Sequence, residues 1–155
     1  MLKEKLGNLK YAIIMVIILV VLAQFITAVI RINKEDLQKS EGIINITYVE
    51  NSGAAFGIGQ SKTSSYVFIS IMIIGVILYF LINQRERMDK KTMVSLSFML
   101  AGGISNLIDR LGVGAVIDYI DISKIIKFPV FNLADILIFL GWVMLIIFII
   151  VFWFR

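Results

Sequence analysis

Polar and apolar positions divide the chain into four long apolar runs joined by polar segments. The first, Tyr11 to Ile32, would extend about 33 Å as a helix, enough to cross a hydrocarbon core. It is too long for a signal-peptide core and no small-residue cleavage pattern follows it, so an uncleaved transmembrane helix is expected. Tyr66 to Asn83 reads equally plainly, and Leu133 to Phe154 is the most continuous. Thr92 to Leu111 differs, because Ser95, Ser97, Gly102, Gly103, Ser105, Asn106, Asp109 and Arg110 interrupt it. Small residues let helices approach closely, and ionisable groups at membrane depth need partners or water, so this helix should face protein. The pattern predicts an all-α membrane protein. It would be a four-transmembrane-helix bundle with spans near 11–32, 66–83, 92–111 and 133–154, in a single domain over 1–155.

The polar segments add a second layer. Asn33 to Ser65 and Gly112 to Phe131 are longer than tight helical hairpins require, which marks them as the place for function. Ile43 to Val49 and Val116 to Ile122 are rich in β-branched and aromatic residues, so a small sheet is expected to cap the helices. Asn33 to Glu50 is long enough to serve as a lid, and Pro129 fits an extended approach to the fourth helix.

Charge sets the orientation. Lys3, Lys5 and Lys10 precede the first helix, Arg85, Arg87, Lys90 and Lys91 fill the second connection, and Arg155 follows the fourth. All lie on one side of a four-span arrangement, and short basic loops stay in the cytoplasm. Both termini are therefore expected there, with the two long polar segments on the extracytoplasmic side. The net charge of +4 follows from this arrangement and does not indicate nucleic acid.

Composition narrows the chemistry. Hydrophobic residues make up 59% of the 155 positions, and there is neither cysteine nor histidine. Disulfides, thiolate metal sites and Ser-His or Cys-His mechanisms are excluded. Catalysis falls to Asp, Glu, Lys or Ser.

Asp135, in FNLAD at the start of the fourth span, requires a justification at membrane depth. Asn132 as N-cap with Asp135 three residues later has the form of a capping box. Asp118, in AVIDYID, precedes the same helix and is a second carboxylate that the fold can bring near, although spacing alone does not choose it over Asp121. Two like charges about 4 Å apart at an effective dielectric of about 20 repel by roughly 4 kcal/mol, so such a pair would hold one proton. One group then serves as general base toward water and the other as general acid toward an amide carbonyl. Asn106, Asp109 and Arg110 share one helical face, either as a network in which Arg110 neutralises Asp109 or as groups that orient the carboxylates and a substrate backbone. Asn51 to Gly57, which contains Gly53, reads as a tight turn near the cleft, with Asn51 offering a donor and an acceptor to a peptide backbone.

Together, YVENSGAAFG (Tyr48 to Gly57), SNLIDRL (Ser105 to Leu111), VIDYID (Val116 to Asp121) and FNLAD (Phe131 to Asp135) resemble the ordered motifs of the lipoprotein signal peptidases. The resemblance implies that Asp118 and Asp135 are the catalytic pair of an aspartic endopeptidase and that Asp121 is support. It implies substrate-binding or supporting roles for Asn51, Asn106, Arg110 and Asn132, with Gly53, Asp109 and Ala134 in the same motifs. It also implies cleavage of diacylglyceryl-modified bacterial prolipoproteins before the lipidated cysteine, contact with membrane lipid, sensitivity to globomycin-like cyclic peptides, and no cofactor or metal. A monomer in the bacterial cytoplasmic membrane is expected. The chain departs from the family pattern in its first helix, where Ala23 and Thr27 stand in place of an Asp and a Lys. Losing both leaves no uncompensated buried charge. The departure motivates an alternative, a homologue that binds lipidated peptides without efficient cleavage. A channel is disfavoured, because four spans leave little lumen.

Overall fold

The computed structural model describes residues 2–37, 42–53, 63–84 and 88–153, with side chains described for 8–37, 42–53, 63–84 and 88–151. The elements in chain order are α1 (Leu2–Ile32), the single turn α2 (Lys34–Leu37), β1 (Asn45–Asn51), α3 (Thr63–Asn83), α4 (Lys90–Val113), β2 (Val116–Asp121) and α5 (Leu133–Trp153). Four segments are long and apolar enough to cross a membrane: Asn8–Ile32, Thr63–Asn83, Lys90–Val113 and Leu133–Val151. The fold is thus the four-helix bundle with a small sheet that the pattern predicted. Three helices begin earlier than their apolar runs; at α3 and α4 the added residues include exposed polar ones, Ser64, Ser65, Lys90 and Lys91. At α4 the start is set by Asp89, whose carboxylate caps the Thr92 N–H at 2.8 Å.

The interrupted third span is the hub of the bundle. In α4, 61% of the span is buried, against 22%, 11% and 17% in the other three. Its Met93, Met99, Leu100 and Ala101 pack with Val16 of α1, Ile77 and Leu81 of α3, and Leu137 of α5. Residues such as Ile17, Phe68 and Ile149 point outward, as a lipid-facing surface requires.

Two small residues set the approach of α5 to α4. A Cβ at Gly102 would collide with the Ala134 carbonyl oxygen and lie 2.7 Å from Ile138 Cγ1. A Cβ at Gly141 would lie 2.5 Å from Met99 Cγ and 2.7 Å from the Ser95 carbonyl oxygen. The backbones therefore touch where only glycine fits, and Ala134, 3% exposed, belongs to that contact. α4 ends at Gly114, whose φ of +81° is left-handed and whose N–H bonds the Arg110 carbonyl, so the chain turns at once into β2.

β1 and β2 pair antiparallel, from Asn45 opposite Asp121 to Asn51 opposite Val116, with a bulge between Ile46 and Val49. β1 thus lies two residues later than the apolar pattern indicated. Pairing decides this: Ile43 and Ile44 are exposed and outside the ladder, whereas Asn51 is within it. Ile117 and Tyr119 pack on Ile30 of α1, fixing the sheet to one end of the bundle. Of the expected Asn33–Glu50 lid, residues 38–41 lie outside the described residues, as do Ala54 to Gly57 of the turn motif and Arg85, Arg87 and Arg155 of the charge pattern.

The two adjacent glycines of α4 offer an internal contrast. A Cβ at Gly103 would make only ordinary contact with Ile74 at 3.5 Å. Gly102→Ala should destabilise the folded protein in detergent or lipid by about 1–3 kcal/mol through overpacking. Gly103→Ala should be neutral or stabilising by up to about 1 kcal/mol through helix propensity. Thermal unfolding of both variants measures the difference, and equal melting temperatures would contradict the close approach.

Candidate active site

β2 alternates in the manner of an extended strand. Ile117 and Tyr119 enter the core, while Val116 and Asp118 line a cavity of about 420 Å³ on the opposite face. Asn51, Gly53, Asn106, Arg110 and Asp135 contribute the other polar surfaces of this cavity. Phe128, Phe139 and Trp142 are among its apolar walls.

Phe131 brings the chain back to β2. Its carbonyl accepts from Tyr119 N at 3.0 Å and Ile120 N at 2.8 Å, and its own N–H donates to the Ile120 carbonyl at 3.1 Å. The next residue, Asn132, is therefore delivered beside Asp118 just as α5 begins. Leu133 N donates to the Tyr119 hydroxyl oxygen at 3.1 Å, a further tie between helix start and strand.

The capping box is present. The Asp135 N–H donates to Asn132 Oδ1 at 2.9 Å, and the Asn132 N–H donates to Asp135 Oδ2 at 3.1 Å. Capping uses one end of the Asn132 amide and leaves the other free for the opposite carboxylate. Asn132 Nδ2 reaches Asp118 Oδ1 at 3.0 Å, Asn106 Oδ1 at 3.1 Å and the Ile117 carbonyl at 3.3 Å. Asn132 thus bonds both carboxylates, that of Asp118 through its side chain and that of Asp135 through its backbone N–H, so the helix cap and the tie to the second aspartate coexist.

Each carboxylate has a second amide donor. Asn51 Nδ2 donates to Asp118 Oδ2 at 3.0 Å, and its Oδ1 accepts from Gly53 N at 3.0 Å, which orients the amide. Asn106 Nδ2 donates to Asp135 Oδ1 at 2.9 Å. Asp118 is 3% exposed. Burial, with a further contribution from the charge of Asp135, pushes its pKa up to about 7 against the lowering effects of Asn51, Asn132 and Arg110.

The polar face of α4 divides in function. Asn106 turns to α5, and Arg110 stacks over the Tyr66 ring at 5.8 Å, with Nη1 bonded to the Asn106 carbonyl at 3.4 Å. Asp109 is held by Gln24 Nε2 at 3.0 Å and Ile117 N at 3.3 Å, so its hydrogen bonds run to neutral donors and not to Arg110. The buried Arg110 Nε has no hydrogen-bond partner among the described residues. Asp121 stands apart, since its carboxylate accepts from Ser123 N at 2.8 Å, a turn contact that lowers its pKa, and it does not line the cavity.

Sequence reading did not single out the apolar walls. Ile138, Phe139 and Trp142 follow Asp135 at spacings of three, four and seven, a helical-face signal that would have found them.

Comparison with known proteins agrees with this architecture. The family model described as Signal peptidase (SPase) II matches residues 13–151. The lipoprotein signal peptidase of Clostridium tetani is 38% identical over 118 residues, covering 75% of each chain. That of Buchnera aphidicola subsp. Schizaphis graminum is 42% identical over 122 residues, covering 75% of this chain and 77% of the relative. A solved bacterial membrane enzyme superposes with a TM-score of 0.79 at 29% identity, covering 91% of this chain and 88% of the other. The interrupted span, the four motifs and the cavity they line thus occur in a chain that belongs to the signal peptidase II family, the lipoprotein signal peptidases, which are aspartic-type peptidases of the bacterial membrane.

Proposed function

We propose that Asp118 and Asp135 act as a single-proton dyad that hydrolyses the peptide bond preceding the diacylglyceryl-modified cysteine of bacterial prolipoproteins. The observation that carries this reading is Asn132, which donates to the Asp118 carboxylate from its side chain and to the Asp135 carboxylate from its backbone N–H, so that both carboxylates line one cavity that also has apolar walls. With its pKa near 7, Asp118 holds the proton at neutrality. Asp135, in the first turn of α5 where the helix N-terminus favours a negative charge, is then the ionised partner.

In the forward step Asp135 takes a proton from water as the water oxygen attacks the scissile carbonyl, and Asp118 donates its proton to the carbonyl oxygen. Collapse of the tetrahedral species breaks the C–N bond, and the departing cysteine amine takes up a proton from the dyad. Arg110 and Asn51, which line the cavity, would hold the substrate backbone. Phe139 and Trp142 offer an apolar surface to the lipid-bearing end of the substrate. A globomycin-like cyclic peptide would compete for the same cavity. Ala23 and Thr27 are 1% and 5% exposed and do not line the cavity, which favours cleavage over binding without turnover.

The basic end of the bundle, with Lys10, Lys90 and Lys91, supports a cytoplasmic placement of both termini and an extracytoplasmic sheet and cavity. Residues 1–155 act as one peptidase unit, and one chain supplies the whole site.

Two measurements test this. Cleavage of a lipidated lipobox peptide should follow a bell-shaped pH profile, because the raised pKa keeps Asp118 protonated below about 7 and the proton is lost as pH rises through that value. Asp118→Asn and Asp135→Asn should each lower kcat by about 10²–10⁴, with Asp121→Asn within about twofold of the parent. A profile flat from pH 5 to 9, or an Asp118→Asn variant as active as the parent, would refute the dyad. For orientation, the chain has no cysteine, so Ser123→Cys and Asn83→Cys report cleanly. An impermeant thiol reagent applied outside should label the first and not the second, and the reverse pattern would overturn the topology.

A further inference from the structure

We propose that Gln24 is a positioning residue of the reaction, holding through Asp109 the strand that carries Asp118. The proposal rests on the dyad reading above and extends it to α1.

In an extended strand the N–H and C=O of one residue point to the same edge, and alternate residues share that edge. Ile117 directs its pair away from β1, to the edge on which Tyr119 and Ile120 meet Phe131. Tyr119 finds a backbone partner there, donating to the Phe131 carbonyl at 3.0 Å. Ile117 finds side chains instead: its N–H donates to Asp109 Oδ2 at 3.3 Å, and its carbonyl accepts from Asn132 Nδ2 at 3.3 Å. Asp109 and Asn132 stand in for a missing strand segment, and the residue they hold is the one before Asp118. Asp109 is therefore part of a substitute strand edge, and its orientation sets where β2 begins.

The other oxygen of Asp109 accepts from Gln24 Nε2 at 3.0 Å. The same nitrogen lies 3.1 Å from the Ser105 carbonyl and 3.0 Å from Ser105 Oγ. Acceptors converge on this end of the Gln24 amide, which sets its orientation. Asp109 is 7% exposed, and a buried carboxylate that loses a donor pays the desolvation cost of an unmet acceptor. Without Gln24 it would turn toward Arg31 or Arg110, whose charges both act on it, and release Ile117. Ala23, 1% exposed, is small enough to let α1 lie against α4 at this level. Gln24, adjacent to the position where the family pattern has its acidic residue, thus supplies the polar link from α1 to the site.

Gln24→Met removes the donor at nearly constant volume, whereas Gln24→Glu sets two carboxylates face to face. Combining Gln24→Glu with Asp109→Asn exchanges the two roles. The amide introduced at position 109 would accept from Ile117 N through its oxygen and donate through its nitrogen to the carboxylate introduced at position 24. Amide hydrogen exchange of residues 116–119 in lipid nanodiscs reads the anchor without requiring turnover. Gln24→Met should accelerate exchange at Ile117 by about tenfold, the loss of one hydrogen bond to a charged group. It should lower kcat by a similar factor with KM within about twofold, and Gln24→Glu should be worse on both readouts. The double variant should improve on Gln24→Glu in both exchange and kcat while staying below the parent, because the Ser105 carbonyl still lacks its donor. Unchanged exchange in Gln24→Met, or a double variant no better than Gln24→Glu alone, would overturn the proposal. A parent chain that fails to cleave lipidated peptide refutes the dyad instead, while exchange still decides the anchor.

Discussion

The site depends on one amide. Asn132 closes the first turn of α5 with its oxygen and approaches Asp118 with its nitrogen, so helix start and strand are held at one distance. A carboxylate at the edge of an apolar span is costly unless its oxygens are met by donors, and hydrogen bonds to a charged group contribute roughly 1.5–3 kcal/mol each. Here each aspartate receives two donors, which leaves both desolvated and neither abandoned. In the proposed dyad the two acids share one proton here, because burial resists a second negative charge more than the amides can favour it.

The remaining architecture serves that meeting. Gly102 and Gly141 allow α5 to lie against α4 closely enough for Asn106 to reach Asp135. Gly114 turns the chain directly from α4 into β2, within reach of Asp109 on the preceding turn. Phe131 pins the return segment to β2 and so sets where Asn132 begins. A hub helix carrying polar residues is compatible with lipid because three apolar helices cover it, and its small residues are needed for the same reason.

Much of this was legible in the residues. Apolar run lengths located four helices, and the polar interruptions of the third identified it as the covered one. The spacing of Asn132 and Asp135 announced the capping box, but it left open whether Asp118 or Asp121 met Asp135. That choice is made by the alternation of β2 and by the Phe131 bridge, both long-range pairings with no local signature. The start of β1 was misplaced by two residues because hydrophobicity at Ile43 and Ile44 does not report pairing partners. The bond between Gln24 and Asp109 was equally hidden, since it joins residues 85 positions apart and depends on how α1 docks.

Carbon-13 NMR of the aspartate carboxyls in lipid nanodiscs would titrate the two acids individually. A shared proton predicts a midpoint for Asp118 near 7, set first by burial and raised further by the charge of Asp135, so Asp135→Asn should move it downward. An Asp118 midpoint at the ordinary value of about 4, or one indifferent to Asp135→Asn, would show that the two carboxyls ionise independently and would contradict the dyad.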